Sequence, residues 1–125
     1  MQHVFEYAVI RVMPKVEREE FINVGVILYC SKQKFLQVLF NLDEIKLHTF
    51  SAGLDIPELQ EHLKSFERIC MAAQHSDAIG KLDQASRFRW LTATRSTVLQ
   101  TSKVHPGLCV NADETLSKLF QELVL

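Results

Sequence analysis

Apolar and polar positions alternate in blocks along the first 41 residues. Residues 4–13, "VFEYAVIRVM", are apolar on both alternating sets and end at Pro14, the pattern of a central strand. After the charged loop "KVEREE" comes "FINVGVILYC", residues 21–30, whose even positions Ile22, Val24, Val26, Leu28 and Cys30 are all apolar. A polar turn, "SKQK", leads to "FLQVLFN", residues 35–41, with Leu36, Val38 and Phe40 again on the even side. Short polar links between apolar runs predict antiparallel hairpins.

The period then changes. "LDEIKLHTF" predicts a short helix. Asp55, Pro57 and Glu58 form a capping pattern for a longer one reaching about Ala73, with Leu59, Leu63, Phe66, Cys70 and Ala73 on one stripe. Residues 83–91 predict a short helix or turn, "STVLQTS" a fourth strand, and "HPG" a turn. A last helix starts near Asn111 with Leu116, Leu119, Phe120 and Leu123 on its stripe. Strands first and helices after predict one α+β domain over residues 1–125: an antiparallel sheet of about four strands with helices packed on one face. If those helices cover the even face, the odd face holds Tyr7, Arg11, Asn23, Gly25, Tyr29 and Gln37. Gly25 in mid-strand marks a bulge or a close approach, which Asn23 beside it would help satisfy.

Charge adds one feature to this picture. Residues 1–83 carry 9 basic and 12 acidic side chains, whereas residues 84–112 carry 4 basic and none acidic. The basic region centres on "RFRWLTATRSTVLQTSKVHPG", which also holds the chain's 1 Trp. Arg87, Arg89 and Arg95 with Trp90 offer guanidinium forks and a stacking surface, and Ser96, Thr97, Gln100 and Thr101 add neutral donors. Arginine and tryptophan anchor interfaces, so the mixture suits an anionic or polar partner. It also suits a hydrogen-bonded loop and strand, with Val98 turned inward and the hydroxyls capping the backbone. Arg11 divides in the same way. It is an exposed strand arginine, or one paired to Glu6, Glu19 or Glu20, or else the floor of a polar site.

Other chemistry finds little support. The five histidines have no i, i+3 or i, i+4 spacing, and Cys30, Cys70 and Cys109 form no CxxC pair, so no metal is expected and the thiols read as inert. Four glycines form no phosphate-binding loop, so no nucleotide cofactor, nor any other, is expected. Ser96, His105 and Glu20 are the only candidates for nucleophilic or acid–base work and lack a nucleophile elbow. No apolar run approaches the ~20 residues of a membrane helix and no secretory leader is visible, so a cytoplasmic protein without membrane contact is expected.

Two blocks, "YAVIRVMP" followed by "EEFINVGVILYC", and "FRWLTATRSTVLQTSKVHPGLC", resemble a small bacterial family, domain of unknown function 3037. The likeness runs from Tyr7 to the last helix. It carries no established activity. The resemblance implies a partner subunit, one half of a toxin–antitoxin-like pair, since such proteins are often encoded beside a HipA-like kinase. It also places Arg11, Glu20, Asn23, Arg95, Ser96, Thr97, Gln100 and His105 in the family's two blocks. The expected function is a non-enzymatic protein-interaction module. The alternative is a small enzyme or sensor that clamps a phosphorylated or other anionic ligand between Arg11 and Arg95, with His105 or Glu20 moving protons. Single-stranded nucleic-acid binding ranks last, because a net charge of −1 and one tryptophan make a poor groove for it.

Overall fold

The computed structural model describes residues 1–71, 78–93, 95 and 97–125. Its elements run β1 (His3–Val12), β2 (Ile22–Cys30), β3 (Phe35–Phe40), α1 (Glu44–Phe50), α2 (Ile56–Met71), α3 (Gln84–Leu91), β4 (Leu99–Thr101), β5 (His105–Cys109) and α4 (Ala112–Leu123). The sheet is antiparallel, in the order β3-β2-β1, with β4 and β5 both pairing the far side of β1. The α+β class is as expected. Ala73, at the expected end of the long helix, lies outside the described residues.

Local signals set the helix starts. Asp55 Oδ1 accepts from the Glu58 amide at 3.1 Å, Asp83 Oδ1 from Ser86 at 2.7 Å and Asn111 Oδ1 from Glu114 at 3.1 Å. Each side chain satisfies an amide that the first helical turn cannot bond internally.

Two expectations need correction. The sheet has a fifth strand, and "HPG" belongs to it rather than to a turn. Pro106 is tolerated because of where its nitrogen points. The Ser102 amide bonds Val9 O and the Met13 amide bonds Val98 O, so odd residues of β1 turn their backbone groups toward β4 and β5. Pro106 pairs an even residue, Glu6, and its nitrogen therefore faces the open edge, where no ladder bond is lost. Gly107 lies under the Phe5 ring: a Cβ there would come 2.5 Å from Phe5 Cζ.

The helices also pack on both faces of the sheet, not on one. Ala8, Ile10, Val12, Ile27, Leu36 and Val38 form one core with Leu47 of α1, Leu59 and Leu63 of α2, and Phe88 and Leu91 of α3. Phe5, Val26, Leu28 and Cys30 form a second with Ala112 and Leu116 of α4. The expected odd face consequently splits. Tyr7, Arg11, Asn23 and Gln37 sit on the α4 side, by their pairing with Leu28 and with each other, while Gly25 and Tyr29 sit on the other. The cause is a bulge. Ile10 pairs Gly25 but Arg11 pairs Asn23, which leaves Val24 as the extra residue and exchanges the faces of β2 beyond it. Gly25 is needed there, since a Cβ would meet Leu39 O at 2.8 Å. Among the described residues no helix is long and apolar enough to cross a membrane.

Candidate interaction site

The basic segment divides between structure and surface. Arg87 is buried, 6% exposed, and donates through Nη1 to Ile69 O and Cys70 O, both at 2.8 Å, and through Nε to Leu82 O at 2.9 Å. It thus closes the C-terminal end of α2, where carbonyls lack intrahelical partners and the helix dipole favours a cation. Arg95 does the same for α3. Its Nη2 donates to Trp90 O at 2.6 Å and its Nη1 to Leu91 O at 3.1 Å and Ala93 O at 3.4 Å. Its guanidinium also lies 4.7 Å from the Trp90 ring centroid, fixing the indole by a cation–π contact.

The hydroxyls and the amide are engaged as well. Thr97 Oγ1 donates to Leu99 O, Gln100 Nε2 to Thr97 O and Thr101 Oγ1 to Thr92 O. Ser102 Oγ accepts from the Val9 amide at 2.8 Å and donates to Lys103 O, stitching this stretch to β1. Leu99 is the buried residue here, while Val98 is 39% exposed, the reverse of the expected alternation. The cross-strand register explains it: Leu99 pairs Val12 over the α2 side of the sheet. Ser96 lies outside the described residues.

Trp90 and Arg89 remain exposed. Trp90 is 43% exposed although it is large and apolar. Arg89 is exposed and donates to no described residue. Trp90 edges a groove of about 350 Å³ between α2, α3 and β4. Arg95, Thr97, Gln100 and Thr101 line it too, so five residues picked out by sequence converge there. The opposite wall, His62, Ser65, Phe66 and Ile69 of α2, was missed. The signal was present as a stripe at i, i+3, i+4 and i+7, but it reads as ordinary core. Among the described residues no acidic side chain lines the groove.

The other sequence-selected residues lie elsewhere. Arg11 stacks on Phe21, its guanidinium 4.0 Å from the ring centroid, and pairs neither Glu6, Glu19 nor Glu20. Asn23 and Gln100 are its cross-strand partners in the sheet. Asn23 Nδ2 donates to Leu123 O at 3.1 Å, tying the end of α4 to β2. Arg11 Nε and Asn23 Oδ1 are buried and have no hydrogen-bond partner among the described residues. His105 packs its ring 5.3 Å from that of Tyr7. Glu20 is exposed and paired with Arg18, which holds its carboxyl below the usual carboxylate range, first through their hydrogen bond and then through charge. Arg11 and Arg95 are not brought together: one faces α4, the other caps a helix on the opposite side.

Among the described residues no three His, Cys, Asp or Glu side chains gather as a metal ion would need. All three cysteines are free and buried, and burial pushes the Cys70 thiol up to about 12.

Residues 7–124 match the model of a family described as protein of unknown function (DUF3037). Comparison with curated proteins and with solved structures gives no match.

Proposed function

The chain belongs to the DUF3037 family of proteins of unknown function, and we propose that it works there as a non-enzymatic protein-interaction module. The observation that carries this reading is Trp90: a large aromatic side chain, 43% exposed, clamped by Arg95 at the rim of a groove with no acidic side chain among its described lining residues and flanked by the exposed Arg89. Tryptophan and arginine at a desolvated centre dominate binding energy at protein interfaces, and a rigidly held indole loses little entropy on docking. A partner with an apolar anchor and acidic rim residues fits this groove. The HipA-like kinase implied by the family's genetic neighbourhood is the partner to try.

Co-expression of the chain with such a kinase from its own host tests the reading. The expected result is a one-to-one complex that survives purification and is lost in Arg89→Glu and in Trp90→Ala, with both variants keeping the wild-type circular dichroism. A complex that both variants retain removes the groove from the proposal. Failure to form a complex with the kinase or with any other host protein removes the module.

One observation favours a second reading, a sensor for a small polar anion. It rests on Arg11 rather than on a clamp of two arginines. Its Nε and the neighbouring Asn23 Oδ1 are a donor and an acceptor without partners among the described residues. A thermal shift that grows with the logarithm of inorganic phosphate concentration and vanishes in Arg11→Met would support it. Equal curves for the two proteins would end it.

A further inference from the structure

The groove beside Trp90 does not stop at its own walls. His62, Thr97 and Leu99 also line a second hollow, of about 700 Å³, which continues along α2 toward its first turn and the loop after β1. Because the two hollows share these residues, α2 borders one trough from Asp55 to Ile69.

The ends of the trough differ in charge. Among the described lining residues, the Trp90 end has Arg95 and no carboxylate, and exposed Arg89 precedes the indole in α3. The far end has Glu17, Asp55 and Glu58, all exposed, against Lys15 alone. Between them the walls are mainly apolar: Leu59 and Phe66 from α2, Val98 and Leu99 from the start of β4. The 39% exposure of Val98 is thus exposure to the trough.

We propose that the trough holds a peptide segment of the partner, acidic at the Trp90 end, apolar in the centre and basic at the Glu58 end. This rests on the reading of the chain as an interaction module and adds the direction in which its partner lies. A polymer of one charge sign does not fit. A nucleic-acid strand would set phosphates against three carboxylates at the far end. A peptide carries both signs on one backbone. From Glu58 to Ile69 α2 rises about 16 Å, a distance that about five extended residues span. The acidic and basic groups of the segment therefore stand about five residues apart. Exposed ion pairs add little affinity, and like charges face to face are unfavourable. The two ends accordingly set the direction, while Trp90 and the apolar centre supply the binding.

Selection from a displayed library of random peptides, about twice that length, on the immobilised wild-type chain tests this. The expected binders carry acidic and basic residues about five positions apart around an apolar centre, and lose binding to Trp90→Ala. The best binder, labelled and titrated by fluorescence anisotropy, is expected to bind the double variant Glu17→Lys, Glu58→Lys at least about fivefold more weakly. Exchanging the binder's basic residues for glutamates recovers that loss. Both substituted positions are exposed, and the double variant is expected to keep the wild-type circular dichroism. Glu17→Lys alone, outside α2, gives a smaller loss in the same direction. Binders that need Trp90 but carry one charge sign, or ignore the double variant, overturn the polarity and leave the module standing. Binders indifferent to Trp90→Ala, or no binders at all, overturn both.

Discussion

Replacing Arg87 with Met isolates the structural half of the basic segment. The side chain is 6% exposed and gives three hydrogen bonds, at 2.8, 2.8 and 2.9 Å, to Ile69 O, Cys70 O and Leu82 O. A hydrogen bond involving a charged group contributes about 1.5–3 kcal/mol, so three set a ceiling of roughly 5–9 kcal/mol. Two effects reduce it. Methionine carries no buried charge to desolvate, and carbonyls at a helix end regain some water when their cap is removed. The expected loss is about 3 kcal/mol, which for a chain of this size lowers Tm by roughly 10–15 °C. Urea unfolding followed by circular dichroism reads the first quantity and a thermal scan the second. Arg87→Lys separates charge from geometry. A lysine ammonium keeps the dipole interaction but cannot fork to three carbonyls, so about half the loss is expected. If Arg87→Met costs under about 1 kcal/mol, the guanidinium is not what closes α2. If Arg87→Lys is neutral, charge alone suffices and the hydrogen-bond reasoning fails.

Other substitutions probe separate parts of the argument. Arg89→Met, at an exposed position that bonds nothing described, is expected to change stability by less than about 0.5 kcal/mol, read in the same urea experiment. Cys70 gives a pH dependence. Burial raises its thiol to about 12 in the folded chain against an ordinary value of 9.0, so its contribution is complete below about pH 9 and falls as pH rises toward 12. Between pH 8 and pH 10 the wild-type chain should therefore lose about 1 kcal/mol more than Cys70→Ala, and equal losses would show the thiol ionising freely in the folded state. Gly107→Ala places a methyl 2.5 Å from Phe5 Cζ, so the buried ring must move. A cost of about 1–3 kcal/mol is expected, and a neutral result would mean the ring has room to turn.

Strand and helix existence was legible because it depends on local periodicity and caps. The first three strands, the Asp55 start of α2 and the Asn111 start of α4 fall where apolar spacing and capping residues put them. Facing was not legible. It depends on one extra residue, Val24, and a single residue exchanges the two sides of a strand, so the even-position rule held for half of β2 and failed for the rest. Gly25 beside Asn23 did signal the irregularity, but not which strand partner would skip. β5 was hidden for a related reason. Pro-Gly is a turn signal only while both backbone sides matter, and at an open edge the proline nitrogen has nothing to bond.

The same distinction between local and long-range information divides the site. Composition marks residues 84–112 as basic, but it cannot separate an arginine that faces a partner from one that closes a helix, since both use a cation beside oxygen acceptors. Helix ends decide. Arg87 sits five residues beyond Leu82 and folds back over the end of α2, and Arg95 sits just past the end of α3, so each meets orphaned carbonyls before it can meet anything else. Arg89, on the turn of α3 between them, meets none. The capping arginines position the exposed pair. Arg87 anchors the end of α2 that forms one wall of the groove, and Arg95 holds the indole that forms its rim. A surface residue held this way needs no reorganisation on binding, which is where affinity per contact is gained. The structural arginines thus set the geometry in which Trp90 and Arg89 are exposed, and if the proposed module binds through that pair, loss of Arg87 should weaken binding only as far as it loosens α2.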